Sequence, residues 1–452
     1  MKKKLTAREY ITVASMLFGM FFGAGNLIFP VLMGQMAGRN VWPAILGFLI
    51  TGVGLPLLSV AALGISRSDG LYSLSSKVNK PYAMFFTCLL YLTIGPFFAI
   101  PRCATTSFTV GLEQVLPQDG NMGLFLLLFS ALFFVAALLF SLFPGKILTW
   151  VGKILNPIFL AFLAVLVVVA LVQPTTGISQ VDPTGNYAAQ PFFTGFLEGY
   201  NTMDALAGLA FGIVVVQVIR DLGVKEPGAV AGNTVKSGVF SCLLMAVIYV
   251  AVTIVGVQSR GALGVAENGG SAFAQIAQHY LGFPGLLILA GTVTFACLKT
   301  AVGLITSCSE TFAGIFPKGP SYKIWAVIFT AVSFLIANLG LSAIIEYSIP
   351  VLMFLYPLVI ALILLALFGK FFRHDKAVYN WVIGCTLIAS VYDLLAALPS
   401  SLLEALHLDS VLPHIGKFLP LSNLGLGWVC PAAVGLVIGL IFHLVRRKKK
   451  LV

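Results

Sequence analysis

Charge is what this 452-residue sequence has least of: 10% of its residues are Asp, Glu, Lys or Arg, against 59% that are hydrophobic. A soluble globular chain carries roughly 25% charged residues. Too few polar groups are present to cover a water-facing surface, and the mean hydropathy is +1.00. That scarcity excludes a soluble enzyme and a nucleic-acid binder. Acidic residues are the rarer sign, 16 against 27 basic, for a net charge of +11. In so apolar a chain the excess of Lys and Arg reads as topogenic charge on cytoplasmic loops. The seven cysteines show no C-x-x-C spacing and all fall in apolar segments, so they read as small buried hydrophobes, not disulfides or metal ligands. The five histidines never stand three or four residues apart, so no helical metal box occurs. Domain linkers and low-complexity stretches are missing too, apart from the basic tail at 446–450.

Long uncharged apolar runs are abundant. Residues 122–143 are one such run of 22 residues, and residues 154–173 carry no charge in 20. A stretch of about 18 or more reads as a transmembrane helix, whereas β-barrel strands would alternate over about 10 residues. The sequence predicts an all-α polytopic membrane protein, a single transmembrane domain over residues 1–452. Twelve transmembrane helices are expected at about 9–36, 41–66, 81–112, 122–143, 147–173, 193–218, 229–258, 284–315, 322–340, 342–369, 378–402 and 427–445. This excludes a single-anchor receptor. Residues 260–283 are less apolar and are expected to form an external helical loop lying over the protein. The MKKK start mimics a signal peptide, but the apolar segment runs on past Gly25 without a convincing cleavage site, so it is expected to stay as the first span.

With both termini cytoplasmic, 22 of the 27 basic residues fall on inside loops or inside span ends; the exceptions are Arg39, Arg102, Arg260, Lys299 and Lys417. This split supports the orientation and the span count together. The expected location is the plasma membrane of a bacterial cell, with the lipid bilayer as a partner and no obligate protein partner or nucleic acid evident.

Two spans are interrupted. The first carries Gly23-Ala24-Gly25-Asn26 at mid-depth, and the sixth carries Glu198-Gly199-Tyr200-Asn201-Thr202-Met203-Asp204. Unpaired backbone costs several kcal/mol in lipid, so broken helices survive only where they line a cavity or are buried in protein. Breaks five spans apart run oppositely through the membrane. They point to an inverted repeat of five plus five, about 9–173 and 193–369, with two extra helices at about 378–445. Such paired breaks mark a transporter's binding site.

Each candidate has two readings. Residues 23–26 form a carboxylate cradle at the amides opening the second half-helix, or a small-residue contact between packed helices. Gly199, Tyr200, Asn201 and Thr202 are the matching substrate-side candidates. Asn201 or Thr202 caps the next half-helix, with Asp204 in its first turn either as a structural charge or as a functional one. In span 8, Gly303, Thr306 and Ser307 share one face at i, i+3 and i+4. They offer oxygens to Na⁺, or else simply pack. Lys299 sits one turn before Gly303, too deep for easy snorkelling. Lys299, Asp204 and Glu198 are the coupling or gating candidates. Arg102, Glu310, Glu346 and Asp393 read mainly as gate or packing charges.

Gly23 to Pro30, Tyr200 to Ala207 and Thr300 to Leu304 resemble the bacterial branched-chain amino acid:cation symporters, the BrnQ-type carriers, over nearly the whole chain. The resemblance implies uptake of leucine, isoleucine and valine by symport and a LeuT-like fold of the amino acid–polyamine–cation superfamily. It implies no cofactor beyond Na⁺ or H⁺ as the coupling ion. By position it also implies a substrate carboxylate facing Gly23, Gly25 and Asn26, and a sodium site on carbonyls near Gly19 and Phe22 with Thr306 and Ser307. The rival of the same fold is an H⁺-coupled carrier of these or other neutral amino acids. A channel would show a repeated filter or pore-lining rings, and a membrane enzyme would show a nucleophile–base pair, a metal site or a cofactor loop. Neither pattern is present in the sequence.

Overall fold

The structure, a computed structural model, describes residues 4–449 apart from 24, 69, 118–119, 143–155 and 409. All regular structure among them is helical, as a lipid-facing backbone requires, because only bonds within the segment satisfy its N–H and C=O groups. In chain order the main helices are α1 (Ala7–Phe21), α2 (Gly25–Ala37), α3 (Val41–Leu49), α4 (Leu55–Ser66), α5 (Lys80–Leu92), α6 (Ala99–Val110), α7 (Met122–Ser141) and α8 (Asn156–Val172). They continue with α9 (Pro191–Glu198), α10 (Asp204–Asp221), α11 (Pro227–Ser259), α12 (Gly269–Ile315), α13 (Tyr322–Ala337), α14 (Leu341–Phe368), α15 (Lys376–Ala396) and α16 (Val429–Lys449).

Among the described residues, eight helical stretches are long and apolar enough to cross a membrane. The start of the expected fifth span, with Lys146 and Lys153, lies outside the described residues. The first and sixth spans are each split into short half-helices, α1 with α2 and α9 with α10. A third interruption is one the sequence reading did not anticipate. The third span breaks at Thr93–Phe97, where Gly95 (φ −92°, ψ −122°) and Pro96 separate α5 from α6. The proline has no N–H to give and its ring crowds the preceding turn. The expected external helix exists, but it is continuous with the eighth span. α12 is interrupted only at Gly282, whose φ of +63° is left-handed, just before Pro284. The eleventh span stops at Ala396, short of the expected 402, with Pro399 close behind.

α7 turns Leu128 and Leu132 outward, 60% and 73% exposed, as a lipid-facing helix does, whereas Leu355, Leu358 and Val359 of α14 are fully buried. The two extra helices, α15 and α16, pair with each other, and α15 also packs on α14. α2 crosses α11 at backbone contact. A Cβ on Gly34 would stand 2.1 Å from the Thr253 carbonyl oxygen, and one on Gly256 would stand 2.2 Å from that of Val31. Small residues permit such close crossings in membranes, where helices have no hydrophobic drive to associate. The first half of α12 lies over α2, with the Gly269 backbone against the Ile28 carbonyl. These contacts hold both ends of α2 and so fix the break that precedes it.

Candidate functional site

The two breaks meet. α1 ends at Phe21, and Phe22 is extended (φ −74°, ψ 94°). The Gly23 amide donates to Asn26 Oδ1 at 2.7 Å, which satisfies one backbone group freed by the break. The other end of the same side chain reaches the sixth span. Asn26 Nδ2 donates to Asp204 Oδ2 at 2.6 Å and also to the Tyr249 hydroxyl, which in turn donates to Asp204 Oδ2 at 2.8 Å. Asn26, Asp204 and Tyr249 are all at least 98% buried. A carboxylate this deep is stable only with such donors, because a buried charge without partners is costly.

In the sixth span, α9 gives way to a tight turn at Gly199–Thr202, and Met203 takes the left-handed conformation at φ 62° before α10 begins. Non-glycine residues in this region cost of order 1–3 kcal/mol, and they cluster at functional sites. The expected capping by Asn201 or Thr202 is replaced by Met203, which supplies no side-chain oxygen at the N-cap position. Thr202 Oγ1 instead donates to the Gly199 carbonyl at 2.9 Å and receives the Asp204 amide at 3.4 Å. Asp204 does stand in the first turn of α10, where negative charge is favoured.

Arg102, read from the sequence mainly as a gate or packing charge and not placed at the binding site, completes the arrangement. It is 4% exposed, buried beside the breaks instead of at an exposed span end. Its Nη1 donates to the Asn201 carbonyl at 2.7 Å, and its guanidinium lies over the Phe29 ring at 5.1 Å. Nη2 is 3.0 Å from where a Cβ on Gly25 would stand. One arginine therefore bridges the unwound backbone of span 6 and the opening of α2. The available signal was a basic residue outside the inside-loop set, nearly two turns beyond Gly95-Pro96.

A narrow cavity lies between these elements. Water-sized spheres can centre in about 40 Å³ of it, room for about three waters at roughly 10–15 Å³ each. Gly23, Gly25 and Asn26 line it from span 1, Thr202 and Asp204 from span 6, and Arg102 from α6. Ile94, Ala207 and Phe211 give it apolar walls. Ala24 lies outside the described residues. Gly199 packs on Thr51, and Tyr200 stacks on Tyr356 at 3.9 Å. Asn201 reaches the site through its carbonyl, and Glu198 is half-buried at the end of α9.

From α12, Thr300 and Leu304 are the residues lining the cavity. The Thr300 methyl stands 3.3 Å from the position of a Cβ on Gly23, and its Oγ1 stands 3.5 Å away. Lys299 adjoins it in sequence. Thr306 lies farther along, its hydroxyl 3.5 Å from that of Tyr322, and Ser307 is buried. Gly303 has open space around it. Gly19 is buried on α1, beside the break at Phe22.

The family model described as branched-chain amino acid transport protein matches residues 6–446. A branched-chain amino acid permease, BrnQ, of Lactobacillus delbrueckii subsp. lactis is 52% identical over 451 residues, which is 99% of this chain and all of that one. Among solved structures, the chain is similar to Mhp1, a nucleobase-cation-symport-1 family transporter in a closed conformation with bromovinylhydantoin bound. The TM-score is 0.58 at 15% identity, over 96% of this chain and 91% of that one. MhsT in complex with L-phenylalanine gives 0.52 at 18% identity, over 98% and 99%. At these identities the likeness is one of fold: both are LeuT-fold transporters, and this chain has the same architecture.

Proposed function

The chain belongs to the branched-chain amino acid transport protein family, and from that premise we propose that it takes up leucine, isoleucine and valine by cation symport through alternating access. It is a multi-pass bacterial membrane protein and a transporter, not an enzyme, in keeping with its permease relatives. The observation that carries the reading is the joining of two broken half-helix pairs at one cavity by the Asn26–Asp204 bond. The substrate's polar end sits beside Gly23, Gly25, Asn26 and Thr202, and its aliphatic chain faces Ile94, Ala207 and Phe211. Both termini are cytoplasmic, a reading supported by the distribution of Lys and Arg.

Na⁺ is the favoured coupling ion, held at the span-1/span-8 junction by carbonyls near Gly19 and Phe22 together with hydroxyl oxygen from α12. The closeness of Thr300 to Gly23 supports Thr300 ahead of Thr306 and Ser307 as that oxygen. A second reading, H⁺ coupling, is favoured by the carboxylate of Asp204 within its chain of donors and by Lys299 beside Thr300.

Counterflow of labelled leucine in proteoliposomes tests the proposal. Exchange is expected, with isoleucine and valine competing. Alanine should compete far less well, since each methylene lost from a filled pocket costs about 0.8 kcal/mol. Equal competition by lysine or glutamate would overturn it.

A further inference from the structure

Arg102 and Asp204 line the same cavity from different helices, α6 and α10, and are 4% and 2% exposed. They are the one cation and the one anion among the described residues lining it. Each keeps hydrogen-bonding capacity beyond its present partners. The bonds to Asp204 from Asn26 and Tyr249 both end on Oδ2 and Thr202 also bonds the carboxyl, while an ionised carboxylate offers about four acceptor sites on its two oxygens. The bond from Arg102 to the Asn201 carbonyl uses Nη1. A guanidinium has five donors in a planar fork, and here Nη2 points to the Gly25 end of α2. The first amides of α2 have no partner within the helix, so Nη2 lies beside a helix opening whose amides and dipole suit an anion.

Three carbonyls of the span-6 turn, candidates for holding an ammonium, each already accept a hydrogen bond. Gly199 takes the Thr202 hydroxyl, Tyr200 takes the Met203 amide, and Asn201 takes Arg102. We propose that the cavity is a zwitterion clamp in which Arg102, with the amides opening α2, binds the substrate's α-carboxylate and Asp204 binds its α-ammonium. The proposal deepens the amino-acid-carrier reading and rests on it. Two opposite charges in a buried cavity complement a zwitterion and leave an uncompensated charge with any ligand that lacks one end. The clamp therefore selects free α-amino acids over amines and fatty acids with the same side chain. The aliphatic wall, by contrast, selects only size.

The test is competition against labelled leucine by leucinol, which lacks the carboxylate, and by 4-methylpentanoate, which lacks the ammonium. Native protein should bind each about 10- to 100-fold more weakly than leucine, the range for losing a hydrogen bond to a charged group. In Arg102→Gln the leucine-to-leucinol ratio should fall to within about threefold of one, with the leucine-to-4-methylpentanoate ratio retained. Asp204→Asn should show the mirror image. If Arg102→Gln does not assemble, Arg102→Lys keeps the charge but not the fork, and its leucine-to-leucinol ratio should fall below the native one. Equal binding of leucinol and leucine by native protein, or a native ratio in the Arg102 variant that assembles, would mean that Arg102 only caps the Asn201 carbonyl. Native protein that exchanges no leucine removes the carrier reading itself; native exchange with an unchanged ratio in the variant removes the clamp alone.

Discussion

The side-chain amide of Asn26 and the carboxylate of Asp204 stand 2.6 Å apart, and through them the break in the first span is bonded to the break in the sixth. Oδ1 of the same Asn26 holds the Gly23 amide, so one side chain shapes its own break and ties it to the other. Backbone geometry at Gly23 and the position of a buried charge are thus set together.

Asn26→Ala removes the acceptor of Gly23 and a donor to Asp204. Leaving a buried polar group unpaired costs about 1–3 kcal/mol, and more for a charged one. Leucine uptake is expected to fall by about five- to a hundredfold or more, with a lowered thermal midpoint. Asn26→Asp sets two carboxylates within hydrogen-bond reach, so one must take a proton, and uptake should recover in part as pH falls. Uptake measured from pH 5 to 8 checks both variants; a pH-independent Asn26→Asp would count against the bond's role.

Gly25 and Gly303 make a matched pair of substitutions. A Cβ at Gly25 would meet Arg102 Nη2 at 3.0 Å and Phe29 Cε2 at 3.2 Å, whereas one at Gly303 meets open space. Gly25→Val should abolish uptake while the protein still reaches the membrane, and Gly303→Ala should transport within about twofold of native, as an uncrowded helical Gly→Ala change does not destabilise. Immunodetection of the membrane fraction beside uptake separates the two effects. Normal transport by Gly25→Val would return residues 23–26 to a packing role.

The Tyr91 hydroxyl donates to the Ala210 carbonyl at 3.1 Å, joining α5 to α10. Tyr91 lines a second hollow that reaches Gly70, Tyr72 and Glu310, and it stands three residues before Ile94, which lines the central cavity. Tyr91→Phe removes the bond to Ala210, worth about 0.5–1.5 kcal/mol, together with the hydroxyl's interactions with Ser307 and Thr311, so opening on that side should become at least about two- to tenfold more populated. Cys308, whose thiol contacts the Tyr91 carbonyl, reports it. Its alkylation rate should rise by that factor, and Cys308→Ser is the blank. An unchanged rate would show that the bond does not hold the path shut.

Much of this site was legible in sequence because breaking a helix in lipid demands unusual residues. Gly23, Gly25 and Asn26, and the turn from Gly199 to Asp204, stand out against apolar surroundings, and their separation by five spans already implies the inverted repeat. Rotation and depth were not legible, because neighbouring helices set them. On α12, Ser307 lies seven residues from Thr300, almost the same face of a 3.6-residue helix, but about 10.5 Å farther along it. Thr306 is turned away from that face. Sequence spacing reports which residues share a stripe, not which turn of it meets the break in span 1. Arg102 was hidden for a different reason. A lone basic residue in an apolar segment says nothing of its partners, and the break at Gly95-Pro96 that aims α6 at the cavity was read as ordinary helix.

The coupling ion separates two expectations on adjacent residues. Na⁺ wants oxygens, and the Thr300 hydroxyl stands beside Gly23, next to the break that follows the extended Phe22. Lys299 immediately precedes it. An ammonium about 4 Å from a bound Na⁺ would repel it by roughly 4 kcal/mol at an effective dielectric of about 20, weakening the ion about a thousandfold unless the lysine is neutral or turned aside. The two cases diverge under imposed gradients. With Na⁺ coupling, leucine uptake follows a Na⁺ gradient at constant pH; Thr300→Ala should raise the Na⁺ concentration needed for half-maximal uptake about tenfold or more, and Thr306→Ala should change it little, since that hydroxyl faces Tyr322. With H⁺ coupling, uptake follows a pH gradient and ignores Na⁺. Asp204→Asn then abolishes accumulation against a gradient while leucine exchange persists, because exchange needs no net proton movement. Native uptake driven by pH alone, with Thr300→Ala indistinguishable from native, would sink the Na⁺ assignment and make Asp204 and Lys299 the proton-handling pair to dissect.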